Sequence, residues 1–269
     1  MRLCIKAAAR TTVVLGVAVF IFGCPHRPPD LDPQLRIDNP TELLEAVRDK
    51  GKQLTALRAT GSIVMRRGAK RLKAHILVLV RRPANLRFET ESFFDQPLSI
   101  LVTDGMQFSM WDMNKGRFLV GQATPANISR VIPIPMDGPE VVGIMAGDPP
   151  LIAYAKSSLK WDDSEGQYLL RLSNSQMEQE ILIHPFRLRP SKVICKQDGK
   201  LYYSLVYEDW QTGDNQPAIP TKMRFEMPAE DIKLIIKIRE TEINPQLADD
   251  LFKLHPPEGI SVERVVSGP

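Results

Sequence analysis

Leu72-Lys73-Ala74-His75-Ile76-Leu77-Val78-Leu79-Val80-Arg81 is the stretch on which the fold reading turns. Leu72, Ala74, Ile76, Val78 and Val80 fall on one side of a period of two, and Lys73, His75, Leu77, Leu79 and Arg81 on the other. An extended chain sends successive side chains to opposite faces, so this is a strand with one wholly apolar face. The same pattern recurs on either side of it. Leu86 and Phe88 alternate with Arg87 and Glu89. Met223, Phe225 and Met227 alternate with Lys222, Arg224 and Glu226. Ile232, Leu234, Ile236 and Ile238 alternate with Lys233, Ile235, Lys237 and Arg239. One apolar and one polar face is the mark of antiparallel strands. Turn signals separate them at Arg67-Gly68, Asp104-Gly105, Lys115-Gly116, Glu165-Gly166 and Asp198-Gly199. The reading gives about ten strands in one meander, too many for a flat open sheet, so the sheet is expected to curl.

Two segments break the period. Asn39 suits a helix N-cap, Pro40 the first turn and Glu42 the acid of a capping box, after which Leu43, Val47, Leu54 and Leu57 share one stripe. This helix is either a lid or brace across the sheet or a packing helix with no ligand role. Between Pro125 and Pro150 six prolines interrupt Ile128, Val131, Ile132, Ile134, Val141, Val142, Ile144 and Met145. Proline at that density excludes a long helix or a central strand. Short apolar helices that cap the mouth of the curled sheet are the expectation, and a loop packed outside the core is the alternative.

The first residues carry an export pattern. Arg2, Lys6 and Arg10 precede an apolar run from Thr11 to Phe22, and Ile21-Phe22-Gly23-Cys24 follows the order of a bacterial lipoprotein signal, apart from the bulky Phe22. The run is short for a bilayer span, which takes about 20 residues. Residues 1–23 are therefore expected to be removed and Cys24 to carry a diacylglycerol. An ordinary signal or anchor with an incidental cysteine is the alternative. Residues 24–40 hold five prolines and read as an extended tether, and 41–265 as the folded domain.

Composition narrows the function classes. The chain has 35 basic and 32 acidic residues, a net charge of +3. Arg2, Lys6 and Arg10 account for all of that excess, so the mature chain is neutral and its charge is no argument for nucleic acid. Aromatics are 7 % of residues, with no basic-aromatic stripe. Beyond Cys24 only Cys195 remains in the mature chain, so no internal disulfide forms there and the core must hold the fold. His26, His75, His184 and His255 show no metal-ligand spacing. No nucleophile elbow, zinc motif or phosphate loop occurs. No enzyme, metal or cofactor is expected.

Leu79-Val80-Arg81-Arg82-Pro83-Ala84-Asn85-Leu86 resembles a strand-end segment of the LolA/LolB lipoprotein-carrier superfamily. Ile100-Leu101-Val102-Thr103-Asp104-Gly105 is similar to that family's strand leading into an Asp-Gly turn. Leu251-Phe252 followed by Pro256-Pro257-Glu258-Gly259-Ile260-Ser261-Val262 is similar to its close. The resemblance covers most of 41–265. It implies a half-open antiparallel β-barrel of about ten strands with an N-terminal helix and a proline-broken helical lid over an apolar hollow. It implies that Arg82 ties the lid closed, a surface strand-end arginine being the alternative. It implies an acyl-chain site on the concave strand faces, for which Ile76, Val78, Leu86, Phe88, Ile100, Met223, Phe225, Leu234 and Ile236 are the candidates; a filled core is the alternative for these nine. Phe93-Phe94 sits where the family's anchored member has a protruding membrane-delivery loop, with a buried turn as the rival.

Cys24 makes the anchored, LolB-like member the better match, and Pro25 in place of an aspartate favours the outer membrane. Extra length at Pro125–Tyr168 and Gln211–Pro220 departs from the family. The implied function is a monomeric, lipid-anchored periplasmic protein of the outer membrane that receives or inserts lipoproteins. Its partners would be acylated lipoproteins or other lipids, with a soluble periplasmic carrier as donor. A structural or sensory interaction platform without lipid cargo, and a binder of free lipid or glycolipid, are the alternatives.

Overall fold

The computed structural model describes residues 31–94, 96–128, 136–211 and 216–266. The signal, Cys24, the first part of the tether and Val131, Ile132 and Ile134 lie outside the described residues. The chain runs as a 3₁₀ turn at Pro33–Leu35, helix α1 (Pro40–Lys52), then six strands: β1 (Ala56–Arg67), β2 (Lys70–Arg81), β3 (Asn85–Glu91), β4 (Pro97–Thr103), β5 (Gln107–Asp112) and β6 (Arg117–Gln122). Helices α2 (Pro125–Ile128) and α3 (Gly138–Met145) follow. Seven more strands come next: β7 (Lys156–Asp162), β8 (Gln167–Ser173), β9 (Met177–His184), β10 (Arg189–Gln197), β11 (Lys200–Gln211), β12 (Ile219–Met227) and β13 (Ile232–Ile243). β14 (Val262–Val265) closes the order.

The fourteen strands among the described residues form one open sheet, in the order β14-β6-β5-β4-β3-β2-β1-β13-β12-β11-β10-β9-β8-β7. Two antiparallel meanders, β1–β6 and β7–β13, are joined where β1 pairs with β13, and β14 adds in parallel beside β6. The expected count of about ten strands is thus corrected to fourteen. The five X-Gly turns read from the sequence all connect neighbouring strands and put their glycines at positive φ, from 58° at Gly68 to 91° at Gly105. Most of the turns that were not read carry no glycine, the β11–β12 connection with Gly213 being the exception. Between β8 and β9 Asn174 Oδ1 accepts the amides of Gln176 and Met177 at 2.9 and 2.8 Å, closing the turn with a side chain instead.

The sheet curls. Arg82 follows β2 and Arg189 opens β10, five positions away in the strand order. A flat sheet would put them about 24 Å apart at some 4.8 Å per strand. Both guanidinium groups nevertheless reach the same carboxylate, Asp148. One apolar cluster fills the hollow, with Ile76, Val78 and Val80 of β2, Ile181 and Ile183 of β9 and Leu205 of β11 among its members.

α1 starts as read: Asn39 Oδ1 accepts from the amides of Thr41 and Glu42 at 2.8 and 3.3 Å. It buries Leu43 and Leu44 against the cluster and stops at Lys52, so Leu54 lies beyond it and Leu57 belongs to β1. The stretch leading to α1 also packs on the domain. Leu31 is buried, the Ile37 amide donates to Tyr168 Oη at 3.1 Å, and Arg36 lies 4.0 Å over the Trp161 ring. Tyr168 pairs with Ile183, near the end of β9, so the chain reaches the sheet at the end that carries Arg82 and Arg189. The β1–β2 and β3–β4 turns lie at the opposite end.

β13 carries a bulge. Thr60 pairs with Glu240 but Gly61 with Ile238, leaving Arg239 as the extra residue. The even-numbered residues Ile232, Leu234 and Ile236 face inward before it, and Ile243 packs on the core after it.

His184, at the end of β9, accepts the amides of Phe186 and Arg187 on Nδ1 at 3.3 Å each. Burial, with Arg187 adding to it, lowers its pKa from 6.5 to about 4. The unfolded chain therefore takes up a proton near pH 6.5 that the folded chain refuses until about pH 4. Stability should fall progressively as pH drops through that window and level off below it. Urea titrations from pH 7 to 4 should show the fall, and His184→Gln should flatten it. An unchanged slope in the variant would assign the fall to other groups.

Candidate functional site

The hollow of the curled sheet is closed by α3. Asp137 caps this helix: its Oδ1 accepts the Glu140 amide and Glu140 Oε2 accepts the Asp137 amide, both at 2.9 Å. Pro139 fits the first turn. Burial raises the Glu140 pKa, with the Asp137 amide pulling the other way. Val142 is fully buried, and Val141, Ile144 and Met145 face an apolar cavity of about 70 Å³. Ile63 and Met65 of β1, Phe88 of β3, Leu205 of β11, Met223 and Phe225 of β12, and Ile232, Leu234 and Ile236 of β13 form the rest of its wall. Among the described residues no polar side chain lines it. A space of that size holds several waters by volume but offers them no partners, so it stays dry.

Of the nine residues read as the acyl site, Phe88, Met223, Phe225, Leu234 and Ile236 come together on this cavity. Ile76, Val78 and Leu86 are buried in the surrounding core and do not line it. Ile100 is half-buried and belongs to neither core cluster of the described residues. Ile63, Met65, Leu205 and Ile232 were not read. Ile63 and Met65 sit at the inward parity of β1 and share the period-two signal.

Behind α3 the chain turns at Gly147 and delivers Asp148 into a cluster of charges. Asp148 Oδ2 accepts from Arg82 Nη2 and Oδ1 from Arg189 Nη1. Arg82 Nε also donates to the Leu54 carbonyl at 2.8 Å, so one guanidinium ties the α1–β1 connection to the segment behind α3. Arg189 is 1 % exposed. Burial lowers its pKa and Asp148 opposes that shift. Tyr207 on β11 is buried, its hydroxyl has no hydrogen-bond partner among the described residues, and burial followed by the nearby Asp148 charge pushes its pKa well above the ordinary value. Gly51, at the end of α1, leaves the room Asp148 needs: a Cβ there would lie 2.6 Å from Oδ2. Asp148, Arg189 and Tyr207 carried no signal in the sequence.

The β3–β4 turn places Phe93 and Phe94 outside, 41 % and 88 % exposed. Phe93 keeps an edge on His75 (centroids 4.4 Å) and Lys73 Nζ sits 4.6 Å over its ring, whereas Phe94 projects freely. Phe94→Ser should change unfolding free energy by no more than about 0.5 kcal/mol, as for other exposed positions. If this turn delivers cargo, Phe93→Ser with Phe94→Ser should weaken transfer to vesicles severalfold. Transfer unchanged beside that intact stability would remove the turn from the route.

Among the described residues no cluster of three or more metal-ligating side chains occurs, and no helix is long and apolar enough to cross a membrane. No protein-family model matches the chain, and no curated protein sequence does. Solved structures do. A DUF1329 family protein from Desulfovibrio piger superposes with a TM-score of 0.57 at 11 % identity, over 81 % of this chain and 98 % of that one. A LolA superfamily protein from Nitrosomonas europaea gives 0.53 at 11 %, over 78 % and 97 %. A domain from Vibrio parahaemolyticus, described as a candidate outer-membrane lipoprotein-sorting protein, gives 0.51 at 10 %, over 79 % and 97 %. The open curled sheet, the helix across its mouth and these likenesses together give this chain the fold of the LolA superfamily.

Proposed function

We propose that this chain is a membrane-anchored periplasmic protein that binds lipids or lipoproteins by taking acyl chains into the cavity beneath α3. That cavity, walled only by apolar side chains and covered by one short helix, is the observation that carries the reading. An acyl chain has no hydrogen-bonding groups, and each buried CH₂ contributes roughly 0.8 kcal/mol, so ten are worth about 8 kcal/mol before ordering costs. Binding of this kind needs no nucleophile, metal or cofactor. Because the cavity is only about 70 Å³, loading requires α3 to move away. Arg82 is the residue we assign to holding it closed, through Asp148. Directional transfer then requires only that the receiving pocket bind more tightly than the donor.

The anchor assigned to Cys24, the turn Phe93-Phe94 and the likeness to a lipoprotein-sorting fold support a place at the outer membrane, where acylated lipoproteins would arrive from a soluble carrier. A second reading, an anchored interaction platform with a filled core, is favoured by one observation: Tyr203 stacks on Phe225 at 5.7 Å within the hollow. Native mass spectrometry separates the two. The chain from Pro25 onward, purified from a bacterial envelope without detergent, should carry a lipid or an acylated protein. A clean mass, with no uptake of offered lipoprotein or phospholipid, would leave the platform.

A further inference from the structure

We propose that Asp148 occupies an oxyanion site of this protein, built from Arg82, Arg189 and the Tyr207 hydroxyl. The anionic head of an amphiphilic ligand, a phosphate or carboxylate, takes that place when the ligand's chain enters beneath α3. The inference rests on the cavity reading and adds a head-group chemistry to it.

Two guanidinium groups converge on one carboxylate, each donating to a different oxygen. Each gives one charge-assisted hydrogen bond, and two cationic donors converging on the oxygens of one anion suit a phosphate as well as a carboxylate. The carboxylate belongs to the covering segment, three residues beyond Met145 of the cavity wall, while Arg189 opens β10 and Arg82 follows directly on β2. Lifting that segment removes the acid and leaves the cations. Arg189, almost fully buried, then keeps, among the described residues, only the Ala218 carbonyl at 3.4 Å. A buried charge that loses its partner is strongly unfavourable, so the open state calls for a replacement anion. The buried Tyr207 hydroxyl, without a partner among the described residues, has an unused donor beside the same charges. A groove of about 240 Å³ gives access from solvent: Arg82 and Asp148 lie in it beside Leu44, Ile181 and Ile183, and Arg48 adds positive charge.

The experiment compares octyl phosphate, octan-1-ol and inorganic phosphate by calorimetry on the full chain held in zwitterionic nanodiscs. The octyl phosphate should bind about tenfold more tightly than the alcohol, the scale of one charged hydrogen-bond pair. Arg189→Met should bring that ratio to about one, and Asp148→Asn should raise it about tenfold further by vacating the site. Equal affinities for the two octyl probes in all three proteins would overturn the inference while upholding the cavity. If neither octyl probe binds, the cavity reading fails. Inorganic phosphate then decides alone: binding to the Asp148→Asn chain that Arg189→Met abolishes supports the site, and no binding overturns it. Inorganic phosphate binding as tightly as octyl phosphate would overturn the head-group assignment in favour of the free anion.

Discussion

Asp148→Ala is expected to destabilise the folded chain by about 3 kcal/mol, because it strips the acid from a buried arginine rather than from a solvated one. Asp148 and Arg82 are partly exposed, and on their own they would make a pair of small worth. Arg189 changes the balance, since at 1 % exposure it has no water to fall back on. The cost should therefore lie in the stranded cation. Adding Arg189→Met to Asp148→Ala should restore most of the loss, since a buried ion pair replaced by apolar groups of similar volume is often close to neutral. Urea denaturation of the two single variants and the double variant reads this directly. If the double variant is no more stable than Asp148→Ala, the penalty has another origin, and the charge cluster is not what ties the covering segment to the sheet.

Gly61→Ala should be at least as damaging, by about 3 kcal/mol or more. A Cβ on Gly61 would run into the Lys237 carbonyl oxygen and crowd the Ile238 Cα, and both are backbone atoms with no flexible end that can give way. This is the point where Arg239 bulges out of β13 and the β1–β13 pairing changes register. Undoing the bulge would slip the later part of the pairing by one residue and turn its inward side chains outward. Ile63 and Met65 follow this point on β1, Ile236 precedes it on β13, and all three line the cavity, so ligand uptake at the proposed site should fall together with stability. Gly116→Ala is the control. Its Cβ would meet nothing within 4 Å, and only the positive φ of 59° opposes it, a cost of about 1 kcal/mol. Similar losses at Gly61 and Gly116 would mean that the sheet absorbs the clash.

The sheet was legible in the sequence where physics gives a local signal. Period two marked β2, β3, β12 and β13, and glycine at positive φ marked five hairpin turns. Turns closed by other means stayed silent: Asn174 by its side chain, Leu188 and Asp231 by left-handed backbone with a Cβ in place. The bulge at Arg239 was equally silent, since Ile235 through Glu240 reads as uninterrupted strand. The cavity was half legible. Alternation says which residues face inward but not which of them lie under the covering helix, so Ile76 and Val78 could not be told from Met223 and Phe225. The charge cluster was legible only at Arg82, and only through resemblance. Asp148 in Gly147-Asp148-Pro149-Pro150 looks like any turn acid, and Arg189 like any strand-end cation. What joins them is the curl of the sheet, which no local pattern records.

The chain joins the sheet at the Arg82 end, and Phe94 projects from the other. β3, the seven-residue strand that leads from the Arg82 end to the β3–β4 turn, spans about 23 Å, and the turn carries Phe94 farther. From Cys24 to Leu31 there are seven residues, and covalent geometry limits their reach to about 25 Å. With Cys24 as the proposed anchor, a domain standing upright would hold Phe94 away from its own bilayer. Contact of Phe94 with that bilayer would then call for a domain lying on its side, strands along the surface. Under the proposed function, posture would decide which of two facing surfaces Phe94 meets.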